Sequence, residues 1–116
     1  MSEKTGQKPT SPSRIGDLAE HYAITYLWDK GYHVFKNCGC TGPIDIIAID
    51  SEGKIKLIDV KCISKRENGS MVYRILSDNQ RSFEEKTGQK IDIVYADTDT
   101  YEVKYSSRRE KRKKVA

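Results

Sequence analysis

Asp45, Asp59 and Lys61 stand where a sequence otherwise places apolar residues. Asp45 interrupts the run Pro43–Asp50 (PIDIIAID), and Asp59 and Lys61 interrupt Ile55–Cys62 (IKLIDVKC). Both runs are rich in Ile, Leu and Val and read as strands. Ser51-Glu52-Gly53-Lys54 joins them as a hairpin turn, with a glycine where positive φ is needed. Side chains alternate along a strand, so Asp59 and Lys61 share one face while Ile58, Val60 and Cys62 take the other. Charges on paired apolar strands are costly to bury unless they bind one another or a cation. Two readings follow: a structural Asp59–Lys61 ion pair, or a pocket built to hold a cation.

The elements around the hairpin are those that would position it. Ile15, Leu18, Ala19, Tyr22, Ala23, Tyr26 and Leu27 recur at three- and four-residue steps, predicting an amphipathic helix over Arg14–Lys30 with Ser13 as its cap and Gly31 as its stop. Glu20 falls at the edge of that apolar stripe, where it can look over the rim of a sheet beneath. Tyr32–Lys36 reads as a first strand and Asn37–Gly42 as a loop into the hairpin. Cys62–Ser70 is polar, and Met71–Leu76 is a short strand. Ser77-Asp78-Asn79-Gln80 has the Ser-x-x-Gln pattern of a capping box, opening a second helix to Thr87 and Gly88. Lys90–Ala96 and Tyr101–Tyr105 complete the set. The order predicts an α/β fold of the α+β kind, a central mixed sheet flanked by helices.

At 116 residues the chain is one domain with a modest core. Residues 1–13 are polar and are expected to be disordered, 14–105 form the folded body, and 106–116 a basic tail. The net charge of +4 is carried by that tail: Arg108–Lys114 holds +5, which leaves −1 for the rest. A run of this kind attracts polyanions by counterion release, so nucleic acid is the expected partner. No apolar run approaches the roughly 20 residues of a membrane span, and no signal-peptide core opens the chain. A cytoplasmic protein is therefore expected. Cys38, Cys40 and Cys62 lack the spacing of a disulfide framework, which fits a reducing compartment. They read as small thiols, with a zinc-stabilised interaction domain as the rival reading.

Taken together, Gly16-x-x-x-Glu20 on a helix, a strand, a loop, Asp45, and Asp59-Val60-Lys61 resemble the PD-(D/E)XK nuclease superfamily. The Gln80-opened helix and the strand after it fit that superfamily's αβββαβ, restriction-endonuclease-like core. The likeness spans Arg14 to Val103 and is nearest the small phage and archaeal types: Holliday junction resolvases and compact restriction or homing endonucleases. Two departures stand out. The proline lies one residue away, as Pro43-Ile44-Asp45, and the second acid is Asp59 where glutamate is more frequent.

The resemblance implies a Mg²⁺-dependent DNA endonuclease, with Mn²⁺ as a substitute. Asp45, Asp59, the Val60 carbonyl and Glu20 are the implied metal ligands, and Lys61 would orient the attacking water. Thr41, Gln80, Lys65, Arg66 and Arg74 are the residues expected to contact DNA phosphates, each with a local explanation as a turn, cap or solvated charge. A domain without room for a separate sequence-reading module favours structure-selective cutting of branched DNA, by a homodimer that pairs two sites. A site-specific restriction or homing-type enzyme is the near alternative. A nuclease-like DNA-binding module without turnover is the alternative of another class.

Overall fold

The computed structural model describes residues 11–40, 42–65, 71–72 and 75–106, with backbone alone at 40, 64, 65, 71 and 72. Helix α1 spans Pro12–Asp29 and is followed by β1 (His33–Lys36), a short 3-10 turn at Cys38–Cys40, β2 (Ile46–Ile49) and β3 (Ile55–Cys62). Then come β4 (Ser64–Lys65), β5 (Met71–Val72), α2 (Asp78–Thr87), β6 (Ile91–Ala96) and β7 (Val103–Ser106). Five strands form one mixed sheet in the order β1-β2-β3-β6-β7, and β4 pairs with β5 as a separate ribbon. All neighbours in the large sheet are antiparallel except β3 and β6, which run parallel because α2 lies between them in the chain. The α+β expectation holds.

The caps show why the helices begin and end where they do. The Ser11 side chain, not that of Ser13, accepts from Arg14 N–H at 3.2 Å. The helix thus starts two residues earlier than expected, with Pro12 in the first turn, where its missing N–H costs nothing. At the other end Gly31 takes φ +91°. Its N–H donates to the Trp28 carbonyl at 3.0 Å and that of Tyr32 to Leu27 at 3.1 Å, a Schellman stop that folds Tyr32 onto the core. Helix α2 shows the capping box expected of Ser77 and Gln80 and ends at Gly88 in the left-handed region. Such a box is worth about 1 kcal/mol.

The hairpin turn is fastened by Asp50, whose Oδ1 accepts from Glu52 N–H at 2.8 Å and Lys54 N–H at 2.9 Å. Gly53, at φ +84°, closes it. The polar stretch after Cys62 includes a short pairing of Ser64 with Val72 and Lys65 with Met71 rather than loop alone.

The sheet has two unequal faces. Ala23 and Leu27 of α1 pack on Ile46, Ala48, Ile58 and Val94, with Val34 and Val60 beside them. On the opposite face Leu76 and Phe83 cover Ile91, Ile93 and Tyr95 of β6, with Ile44 and Ile63 alongside. That cover does not reach β1, β2 and the start of β3, where Phe35, Ile47 and Ile55 stay exposed. Among the described residues no helix is long and apolar enough to cross a membrane.

Candidate active site

Strands β2 and β3 pair in register from Ile49 opposite Ile55 to Ile46 opposite Ile58, and then part. Asp45 N–H still reaches the Ile58 carbonyl at 2.9 Å. Beyond it the next ladder bond is made by a side chain: Val60 N–H donates to Asp45 Oδ2 at 2.7 Å. The carboxylate thus replaces a backbone carbonyl at the fork, which fixes its position. In the same register Asp45 falls opposite Asp59, so the two acids meet on one face of the sheet.

The segment leading to Asp45 is held from two sides. Asn37 Nδ2 donates to the Ile44 carbonyl at 2.7 Å, and Asn37 N–H to the Asp45 carbonyl at 2.9 Å. Gln80 Nε2 donates to the Pro43 carbonyl at 3.0 Å, while its Oε1 accepts from Ser77 N–H at 2.9 Å. Gln80 is only 5% exposed. Its buried amide, engaged at both ends, stands against the direct phosphate contact expected of it; what it does here is anchor the Asp45 segment to α2.

Asp59 is 5% exposed, and its Oδ2 has no hydrogen-bond partner among the described residues. Lys61 Nζ lies 3.0 Å from that oxygen, close enough for an ion pair but outside hydrogen-bond alignment. The misalignment has a simple cause: residues two apart on a strand stand about 7 Å apart, so the lysine must fold back to reach its neighbour. The attraction is electrostatic rather than an aligned hydrogen bond. Burial raises the Asp45 carboxyl to about 7, against the pull of the Val60 N–H, and contact with the Asp59 carboxyl and the charges of Asp59 and Glu20 push the same way.

Glu20 stands at the rim as its helical position predicted. Its Oε1 pairs with Lys36 Nζ at 3.0 Å, and it lines an open cavity of about 700 Å³ together with Asp45, Asp59 and Val60. The structure therefore brings Glu20, Asp45, Asp59 and Val60 to one hollow, with Lys61 beside Asp59. Thr41, Arg66 and Arg74 lie outside the described residues, as does the side chain of Lys65. The rest of the wall is the start of α1: Ser11 to Arg14, Gly16 and Asp17. Sequence reasoning took Ser13 as a cap and Gly16 as part of the helix motif but gave none of these residues a place at the site, although Ser13, Gly16, Asp17 and Glu20 recur at the three- and four-residue steps of one helix face.

Among the described residues no three His, Cys, Asp or Glu side chains converge as a metal-binding group, and Cys38 and Cys62 are free thiols. The donors at the fork are two carboxylates and backbone, hard oxygens that suit a cation completing its shell with water and a ligand's phosphate. An unfilled buried carboxylate oxygen against a second, proton-retaining carboxyl fits such a cation.

No protein-family model matches the chain, and no curated protein matches its sequence. Among solved structures, the bacterial homing endonuclease I-Ssp6803I is similar, with a TM-score of 0.59 and 17% identity over 92% of this chain and 85% of that one. The likeness is one of fold: the mixed sheet, its two helices and their order form a nuclease-like, restriction-endonuclease-like core.

Proposed function

We propose that the protein is a metal-dependent DNA endonuclease of the PD-(D/E)XK type that hydrolyses phosphodiester bonds. The observation that carries the reading is the fork between β2 and β3, where Asp45 and Asp59 are pressed together beside an open cavity that both residues line. Lys61 meets Asp59 at 3.0 Å but out of hydrogen-bond alignment, which leaves the acid able to take a metal in exchange. Mg²⁺, or Mn²⁺ in its place, would be held by Asp45, Asp59 and the Val60 carbonyl, and would supply Lewis-acid activation of water and charge neutralisation at the phosphate. Lys61, 3.0 Å from Asp59 Oδ2, would orient the attacking water and stabilise charge developing on the phosphoryl oxygens. Glu20, paired with Lys36, would help hold the metal or its water shell.

The preferred substrate in this reading is branched DNA, cut by a homodimer whose two sites address two strands. The exposed Phe35, Ile47 and Ile55 offer an apolar surface for the second copy. The fold it shares with a homing endonuclease favours a second reading, site-specific cutting of a linear duplex. One experiment separates them. Four-way junction, linear duplex and single strand are incubated with Mg²⁺ and with chelator, beside Asp59→Ala and Lys61→Ala. Metal-dependent junction cutting lost in both variants supports the proposal. Unaltered cutting by both variants removes the site, and cleavage of specific linear sequences alone selects the homing-type reading.

A further inference from the structure

The cavity holds a second group of residues that the cleavage chemistry does not use, and they line its α1 side. Four carboxylates border the hollow: Asp17, Glu20, Asp45 and Asp59. Glu20 and Asp59 have lysine partners at 3.0 Å, but neither Lys36 nor Lys61 is part of the lining. Arg14 is the one cationic side chain among the described residues that line it. With so many carboxylates nearby, the exposed Arg14 side chain makes no ion pair among the described residues, while its backbone N–H is held by Ser11. A guanidinium left unpaired beside carboxylates is available to an anion with better bidentate geometry.

Gly16 points the same way. It lies inside α1, is free of positive φ, and a Cβ added to it would meet no atom within 4 Å. Neither backbone strain nor packing requires glycine, and in a helix it is less stable than alanine. What it provides is open space on the cavity wall, one turn before Glu20. Glycine at such a place permits close approach of a ligand to backbone. Asp45 and the 5%-exposed Asp59, two carboxyls pressed together on the same hollow, mark independently where a cation that bridges to phosphate belongs.

We infer that the first two turns of α1 form a phosphate-positioning wall: Arg14 pairs with a DNA phosphate next to the one addressed at Asp45 and Asp59, and Gly16 leaves room for the backbone between them. The inference rests on the nuclease reading and deepens it. Both are positioning residues, so their loss acts on binding rather than on the chemical step.

The test uses the full chain and its variants Arg14→Ala, Arg14→Lys and Gly16→Ala. Binding of a labelled duplex and a four-way junction is followed by fluorescence anisotropy with Ca²⁺ at several salt concentrations. Steady-state cleavage with Mg²⁺ and thermal melting run in parallel. Arg14→Ala is expected to weaken binding and raise KM about 5- to 10-fold, with kcat within about 2-fold and a salt slope shallower by about one ion. Arg14→Lys recovers part of the loss. Gly16→Ala is expected to melt higher than the parent yet bind more weakly, a combination that a structural role for the glycine does not produce. Unchanged Kd, KM and salt slope in both alanine variants overturns the inference, as does a binding loss that follows a fall in melting temperature. If the parent binds DNA but cuts none, the nuclease reading fails while the anisotropy arm still decides the wall. A parent that binds no DNA overturns both.

Discussion

Two buried acids on adjacent strands of the same sheet are treated in opposite ways. Asp92 on β6 accepts a hydrogen bond from the Tyr105 hydroxyl of β7, and burial together with that acid keeps the phenol well above its ordinary range. Asp59 on β3, also buried, has one oxygen without a hydrogen bond, met only by the out-of-line Lys61 ammonium, and a second carboxyl pressed against its own. The first arrangement is that of a group serving the fold, whose polar atoms find partners inside the protein. The second costs stability, and a fold tolerates that where the cost is recovered on binding something. Burial alone does not distinguish the two acids; hydrogen-bond satisfaction does.

The comparison is broken most directly on catalysis. Asp59→Asn is expected to lower cleavage by about 100-fold or more, the scale of losing a preorganised electrostatic group. Asp92→Asn should retain parental activity per folded molecule in the same single-turnover assay. Equal losses in both variants would make the contrast meaningless.

Stability should reverse the order. Asp92→Ala leaves the Tyr105 hydroxyl without its acceptor and is expected to cost about 1–3 kcal/mol in a urea melt. Asp59→Asn, which removes a charge facing Asp45, should leave metal-free stability unchanged or raised at pH 8. A large loss on Asp59→Asn would recast that acid as part of the scaffold.

A further effect is a pH slope. Asp45 titrates near 3.8 in an unfolded chain and about 7 when folded, so between those values the native state binds the extra proton. Metal-free stability should therefore fall as pH rises from about 4 to about 7, then level off. Tyr105, raised from a value already near 10, contributes nothing in that window. Asp45→Asn should flatten the slope, and Mg²⁺ should restore melting temperature above pH 7 in the parent but not in the variant. A parental slope of opposite sign would remove the carboxyl pairing from the argument.

What the sequence made legible was local. Strand alternation put Asp59 and Lys61 on one face, three- and four-residue steps gave α1 and the rim position of Glu20, and Ser77 with Gln80 announced α2. What it hid depends on contacts distant in the chain. Asp45 was read as a ligand, but its substitution for a ladder carbonyl needs the fork between strands. Gln80 was read as a cap and phosphate contact; its amide is spent on a carbonyl 37 residues away, which no local pattern records. Asn37 looked like loop and turns out to hold the Ile44 carbonyl. The cap at Ser11 was missed because two serines flank one proline, and Pro12 decides between them by preferring the first turn.

The Gln80–Pro43 bond has a bearing on how the molecule is made. Residues 43–61 carry the acids and the lysine, yet the helix that fastens them leaves the ribosome afterwards. A nascent chain has therefore made every reactive side chain before it can set the geometry between them. The Asp45 segment is therefore tied down from the α2 side only once the chain through Gln80 has been made.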